Sequence, residues 1–302
     1  MFNKMIAATL PYMPKKIVWM FSKRYIAGET IDDAIKASQD LNAQGIKVTV
    51  DLLGEFIEDL SQATENRDAY LDIIEAFEKN KIDGNYSVKP TFFGLLIDPE
   101  VCYENIRTVV AKAVEYNNFI RVDMEDSSCV DLEIDIFRRL KKEFPNNVGL
   151  VVQAYLKRTL LDLENMIDIK NGSSLNYRLC KGIYVESDEV AFKKYEDINE
   201  NYIKGLDFML KNDIYPGIAT HDKNLIQPAY DLLEKYNVPK DKYEFQMLYG
   251  VTPELRKSIL DKGHKMRVYV PFGKDWFGYS TRRLKENPKM AMLIIKALFS
   301  RG

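Results

Sequence analysis

Between residues 46 and 272 the chain alternates short apolar runs, rich in β-branched and aromatic residues, with longer stretches whose apolar positions recur at helical spacing. The runs are Lys47–Leu53, Tyr86–Lys89, Phe119–Met124, Val148–Ala154, Tyr177–Gly182, Tyr215–Thr220, Tyr243–Leu248 and Met266–Val270. Each predicts a strand. Between them, Ile57, Leu60, Tyr70, Ile73, Ile74 and Phe77 form one helix stripe, and Val101, Ile106, Val109, Val110 and Val114 form another. Thr252 before Pro253 predicts a helix N-cap, and Gly263 stands where that helix should end. Pro228 weakens a further predicted helix. A helix is expected from Thr30 to Gln44, stopped by Gly45, and two helices split near Pro288 are expected after Trp276.

Eight strand–helix units in one chain predict an α/β fold of the (β/α)8, TIM-like barrel type, because parallel strands need covering helices and eight of them close without edges. Residues 1–45 read as an N-terminal helical arm and 46–302 as the barrel. The competing doubly wound fold calls for a glycine-rich phosphate turn, and none of the 15 glycines lies in a GxGxxG or GxxxxGK[ST] pattern. At 46% hydrophobic and 29% charged, the 302 residues describe a globular protein with a sizeable core. The 43 basic and 45 acidic residues are dispersed, which leaves no basic field for nucleic acid. Three scattered cysteines and two histidines disfavour a disulfide framework or a multi-histidine metal site, so no metal is expected and a reducing cytoplasm fits. The apolar patches of residues 1–27 are broken by Pro11, Pro14, Lys15, Lys16, Lys23 and Arg24, well short of a membrane span.

Barrel enzymes carry their chemistry at the C-terminal ends of the strands, so the polar residues closing each run are the candidates. They are Asp51 and Glu55, then Lys89, then Asp123 and Glu125, then Gln153, followed by Arg178 and Lys181 with Tyr184 beyond. Thr220, His221 and Asp222 close the sixth strand, Gln246 the seventh, and Tyr269 lies in the eighth. A strand-end lysine, Lys89 or Lys181, suits a Schiff-base nucleophile provided its pKa is lowered. Arg282 and Arg283 are adjacent on an expected helix and point about 100° apart, so turning both toward one anion needs a helix end-on or angled across the barrel mouth.

The segments DLLGE (Asp51–Glu55), SVKP (Ser87–Pro90), RVDMEDS (Arg121–Ser127), QAYLKRT (Gln153–Thr159) and RLCKGIYVES (Arg178–Ser187) carry a resemblance. So do ATHD (Ala219–Asp222), EFQMLYG (Glu244–Gly250), RVYVPFG (Arg267–Gly273) and YSTRRLKEN (Tyr279–Asn287). In this order the chain is similar, from about Tyr25 to Pro288, to the proline dehydrogenase family. The resemblance implies a distorted barrel whose last helix lies over the mouth, and FAD-dependent oxidation of L-proline to Δ1-pyrroline-5-carboxylate, the first step of proline catabolism. It implies that Arg282, Arg283 and Lys89 grip the carboxylate and that Tyr184, Leu248, Tyr269 and Tyr279 wall the ring. Asp123 would lie beneath the flavin and Arg178 near its N5. Gln153, Lys181, Gly182, Tyr184, Thr220, His221, Gln246 and Glu286 would hold the rest of the cofactor.

The resemblance also implies a monofunctional enzyme that hands its product to a separate pyrroline-5-carboxylate dehydrogenase and its electrons to a membrane quinone, working in the cytoplasm or at the inner face of the membrane. Cys180 and Ile183 replace the family's commoner valine and alanine, and Phe92 and Phe93 are bulkier than usual. Tyr279 is kept, which points to proline over hydroxyproline. Two alternatives stand beside this reading: a lysine Schiff-base lyase on the same barrel, and a non-catalytic flavin-binding relative.

Overall fold

A computed structural model of the chain describes residues 18–19, 22–170 and 172–280. Its strands are β1 (Lys47–Leu52), β2 (Gly84–Val88), β3 (Ile120–Val122), β4 (Val148–Gln153), β5 (Asn176–Cys180), β6 (Tyr215–Ala219), β7 (Glu244–Leu248) and β8 (Met266–Phe272). All pair in parallel in sequence order, and β8 pairs with β1 from Lys47↔Arg267 to Leu52↔Phe272, so the sheet closes into the barrel that the alternation predicts. The helices are α1 (Ile31–Asn42), α2 (Leu60–Lys79), α3 (Pro99–Glu115), α4 (Val130–Glu143), α5 (Thr159–Asn165), α6 (Tyr195–Lys211), α7 (Lys223–Lys235) and α8 (Pro253–Asp261). Helix α1 starts in a capping box between Thr30 and Asp33 and packs on β1 and β8, which covers the seam where the barrel closes. The N-terminal residues 1–17 and the expected last helix, from 281 on, lie outside the described residues.

Alternation along the strands sorts their side chains into two environments. Val48, Val50, Tyr86, Val88, Ile120, Val122, Leu150, Val152, Leu179, Ile218, Phe245, Val268 and Val270 belong to the apolar core that packs under the helices. The alternate residues face the barrel axis and bond across it. Thr49 Oγ1 donates to Asn85 Oδ1 at 2.5 Å, and Arg121, only 1% exposed, donates to the Asn176 carbonyl (2.9 Å) and Oδ1 (2.7 Å). Gly149 makes room for that guanidinium, since a Cβ there would lie 2.7 Å from Arg121 Nη1 and 2.5 Å from the Asn176 carbonyl oxygen. The barrel interior is therefore polar, where many barrels stack branched aliphatic side chains.

Several boundaries differ from the sequence pattern for local reasons. Strand β2 begins at Gly84, two residues before the apolar run, because the ladder to Val48 recruits Gly84 and Asn85 despite their poor strand propensity. It ends before Lys89, where Pro90 opens a 3-10 turn, Pro90–Phe93. Thr252 precedes α8 but takes a left-handed conformation (φ 40°), and its hydroxyl donates to Met247 Sδ (3.7 Å), so it makes no side-chain cap. Gly263 ends α8 as expected, at φ +73°. Helix α7 runs through Pro228, since burial of Leu225, Ile226, Ala229 and Leu233 outweighs one missing backbone bond.

A buried carboxylate pair anchors the turn after β3. Glu125 accepts from Thr91 N (2.8 Å) and Thr91 Oγ1 (2.6 Å), and its own N–H donates to Glu133 Oε1 (2.9 Å). Burial pushes Glu125 up to about 7 and Glu133 up as well, with the neighbouring carboxylate adding to Glu133's rise. A carboxyl whose pKa is raised on folding stabilises below its unfolded value and loses that stability as pH climbs through the folded one. Stability should therefore fall between about pH 4.5 and pH 7, by roughly 3 kcal/mol from Glu125, and the urea midpoint with it. Glu125→Gln should flatten that slope; a slope equal to that of the parent protein would place the titration elsewhere.

Candidate active site

The strand ends open into one cavity of about 460 Å³ at the C-terminal mouth of the barrel. Lys89, Asp123, Gln153, Arg178, Lys181, Gly182, Tyr184, Thr220, His221, Gln246, Leu248, Tyr269 and Tyr279, singled out from the sequence, all line it. Arg282, Arg283 and Glu286 lie outside the described residues. The parallel strands account for this convergence, because alternate residues at neighbouring strand ends point at the same axis.

A continuous chain of polar contacts crosses the cavity floor. Lys89 Nζ lies 2.5 Å from Asp51 Oδ1 and donates to Tyr269 OH at 3.3 Å. The Tyr269 hydroxyl donates to Asp123 Oδ2 (2.8 Å), whose other oxygen accepts from Ser87 Oγ (2.7 Å) and Arg178 Nη1 (2.9 Å). Arg178 Nε then donates to Gln246 Oε1 (2.6 Å), and Gln246 Nε2 to Glu244 Oε1 (2.7 Å). Arg267 Nε closes the chain on the same Glu244 oxygen at 2.7 Å. Gln246 can reach between its two partners because Gly217 leaves room; a Cβ there would sit 2.4 Å from Gln246 Nε2.

The charges follow from this geometry. Burial pushes Asp51 up to about 6, with Asp123 adding to the shift and Lys89 opposing it. Burial also works against the Lys89 cation, but Asp51 and Asp123 outweigh it and raise its pKa. A lysine so held is an electrostatic anchor and lacks the free amine that Schiff-base chemistry needs, which disfavours that alternative at Lys89. Lys181 lies 2.5 Å from Asp222 Oδ2, which also accepts from Tyr195 OH (2.6 Å). The Asp222 carboxyl is held down at about 2: burial opposes this, but the bonds from Lys181 and Tyr195 prevail. His221 Nε2 accepts the Leu248 amide at 2.8 Å, which leaves the ring proton on Nδ1. Gln153 Nε2 donates to the carbonyls of Met124 (3.2 Å) and Glu125 (2.6 Å), which ties β4 to the turn after β3.

Ser87 and Glu244, both buried in the polar chain, are not among the strand-end candidates. The signal was present: each is a polar residue in an apolar run, two positions before a strand-end candidate, Lys89 or Gln246, and hence on the same face. Among the described residues no group of three or more His, Cys, Asp or Glu is placed to hold a metal ion. No helix among them is long and apolar enough to cross a membrane.

Comparison with known proteins gives the same direction from an independent side. The family model described as proline dehydrogenase matches residues 34–293. The chain is 36% identical to proline dehydrogenase of Deinococcus radiodurans over 290 residues, covering 95% of this chain and 92% of that one. It is 36% identical to proline dehydrogenase 2 of Bacillus subtilis strain 168 over 277 residues, 91% of this chain and 89% of that one. Among solved structures, proline utilization A from Bdellovibrio bacteriovorus, inactivated by N-propargylglycine, superposes with a TM-score of 0.84 at 27% identity. That match covers 88% of this chain and 32% of the other, so the barrel corresponds to about a third of a longer protein. With a family match spanning most of its residues and relatives above 30% identity over nearly their whole length, the chain belongs to the proline dehydrogenase family of enzymes.

Proposed function

We propose that the chain oxidises L-proline to Δ1-pyrroline-5-carboxylate with FAD as cofactor and a membrane quinone as final acceptor, the product passing to a separate pyrroline-5-carboxylate dehydrogenase. The observation that carries the reading is the Lys89–Tyr269–Asp123–Arg178 chain on the floor of a cavity of cofactor size, in a chain whose relatives are named proline dehydrogenases. The residues suit a flavin. Arg178 Nη2 is buried with no hydrogen-bond partner among the described residues, an arrangement that is costly unless an acceptor arrives, and the flavin ring edge offers such acceptors. Around it Met124, Val151, Ala219 and Leu248 offer apolar surface, while Lys181 and His221 supply polar groups farther along the cavity. FAD, when bound, supplies the hydride acceptor that the side chains lack.

The chain's own residues would bind, orient and exclude water. Gln153, Arg178, Lys181, Gly182, Tyr184, Thr220, His221, Gln246 and Glu286 would hold the cofactor, with Asp123 keeping Arg178 in place. Lys89, kept cationic by Asp51, would pair with the proline carboxylate, joined by the fork-shaped donors of Arg282 and Arg283. Tyr184, Leu248, Tyr269 and Tyr279 would wall the ring. The reacting substrate must be the neutral amine, and no base is required from the protein if proline sheds its proton to solvent.

Three outcomes follow. Anaerobic addition of L-proline to the FAD-loaded protein should bleach the flavin band; a yellow protein that ignores proline would overturn the substrate assignment. The value of kcat/KM should rise with pH as the proline ammonium deprotonates, and a profile flat from neutral to alkaline pH contradicts reaction through the free amine. Lys89→Met should raise KM for proline by about tenfold to a hundredfold, as loss of a charge-assisted bond of roughly 1.5–3 kcal/mol implies. An unchanged KM in steady-state assays would remove Lys89 from the carboxylate site.

A further inference from the structure

The segment between β5 and α6 passes the cavity mouth, and its two ends are fastened by backbone. Tyr155 N donates to the Lys181 carbonyl at 2.7 Å, Phe192 N to the Tyr155 carbonyl at 2.7 Å, and Lys157 N to the Val190 carbonyl at 3.0 Å. Leu156 and Ala191 form an antiparallel bridge beside them. Between these fastenings Ile183 and Tyr184 line the cavity, whereas Val185 is 100% exposed and gains nothing from burial. The next residue, Glu186, reaches away from its own loop to the turn after β3. Its carboxylate accepts the Ser127 backbone N–H at 2.7 Å and the Ser127 hydroxyl at 2.6 Å, one on each oxygen. Lys193 Nζ donates to the Glu186 carbonyl and steadies the same residue from the far side. The other carboxylate of the turn, Asp126, is satisfied locally by Ser128 N (3.0 Å) and Ser128 Oγ (2.5 Å), so it does not compete for Ser127.

We infer that Glu186 is a positioning residue: its two-point clasp on Ser127 joins the β3 and β5 loops above the end of β4 and fixes Tyr184, two residues upstream, at the cavity. Ser127 lies four residues beyond Asp123, so the clasp ties the wall of the cavity to the loop that continues from its floor. The inference rests on the proposed reading of Tyr184 as part of the substrate wall. Two charge-assisted bonds favour the clasped loop over open forms by a factor of about ten or more, in a loop whose two ends are already fastened by backbone. Without the carboxylate, a smaller fraction of molecules carries Tyr184 in place, and apparent substrate affinity falls by that fraction while the step in the closed molecules is unaltered.

The test uses the FAD-loaded full chain with Glu186→Ala, Glu186→Gln and Ser127→Ala, measuring kcat, KM for L-proline, flavin content, thermal midpoint and the rate of limited proteolysis between residues 181 and 190. Glu186→Ala should raise KM about tenfold or more, with kcat per bound flavin within about twofold and faster cleavage of the loop. Glu186→Gln keeps acceptor capacity on one oxygen, and Ser127→Ala keeps the backbone N–H, so both should fall between the parent and Glu186→Ala. A parental KM with parental cleavage in Glu186→Ala overturns the inference, as does a lowered thermal midpoint with kcat and KM otherwise unmoved. Should Glu186→Ala fail to fold, Ser127→Ala decides: a parental KM and cleavage rate overturn the clasp. If the parent protein fails to bleach with proline, the reading of the site fails instead, and the proteolysis comparison still reports on the clasp.

Discussion

The structure depends on satisfying a polar barrel interior. Alternation commits every second residue of each strand to the axis, and this chain fills many of those positions with Thr49, Asn85, Arg121, Asp123, Arg178, Glu244, Gln246 and Arg267, all but Arg267 buried. Buried charges of this kind are tolerable when each donor finds an acceptor, and strongly destabilising, by about 3–5 kcal/mol, when one partner is removed. Glu244 shows the balance: burial opposes its charge, yet Arg267 and Arg121 hold its pKa below the usual carboxylate value. The strand order, the room left at Gly149 and Gly217, and the placement of Arg121 all serve that one requirement.

The site is the upper end of the same network. Nothing separates the residues that stabilise the barrel from those that face the cavity, because Gln246 is bonded to Glu244 below and to Arg178 beside the cavity. Arg178 is thereby held by Gln246, Asp123 and Ser87 on two of its nitrogens, with Nη2 left over. Preorganisation of this kind lets fixed dipoles and charges act without rearrangement during reaction. The same logic explains why two histidines suffice: Lys89 is kept cationic by Asp51, and the His221 ring nitrogen Nε2 is engaged by a backbone amide.

Much of this was legible in the sequence. Strand–helix alternation located the barrel, and strand-end polar residues located the cavity, since in parallel strands those positions must converge. Asp51 stood out as a carboxylate inside an apolar run, but its pairing with Lys89 across neighbouring strands depends on register, which local pattern does not encode. Ser87 and Glu244 escaped notice because they sit one layer deeper than the strand ends. The left-handed Thr252 was read as a conventional cap because Thr-Pro is a common helix start, and only the neighbouring Met247 sulfur gives its hydroxyl another partner. Glu186 carries no signal of its own in the sequence, because its partner Ser127 lies 59 residues away and meets it only in the fold.

The central claim is that one hydrogen-bonded chain, from Arg267 through Asp123 to Lys89, both closes the barrel and presents the groups that bind cofactor and substrate. A crystal structure of the FAD-loaded protein with an unreactive analogue of proline tests it most directly. The account predicts the flavin ring in the cavity against Arg178, the analogue's carboxylate at Lys89, and the contacts among Asp123, Arg178, Gln246 and Glu244 unchanged. A flavin seated elsewhere, or a chain that must break apart to admit it, would contradict the account.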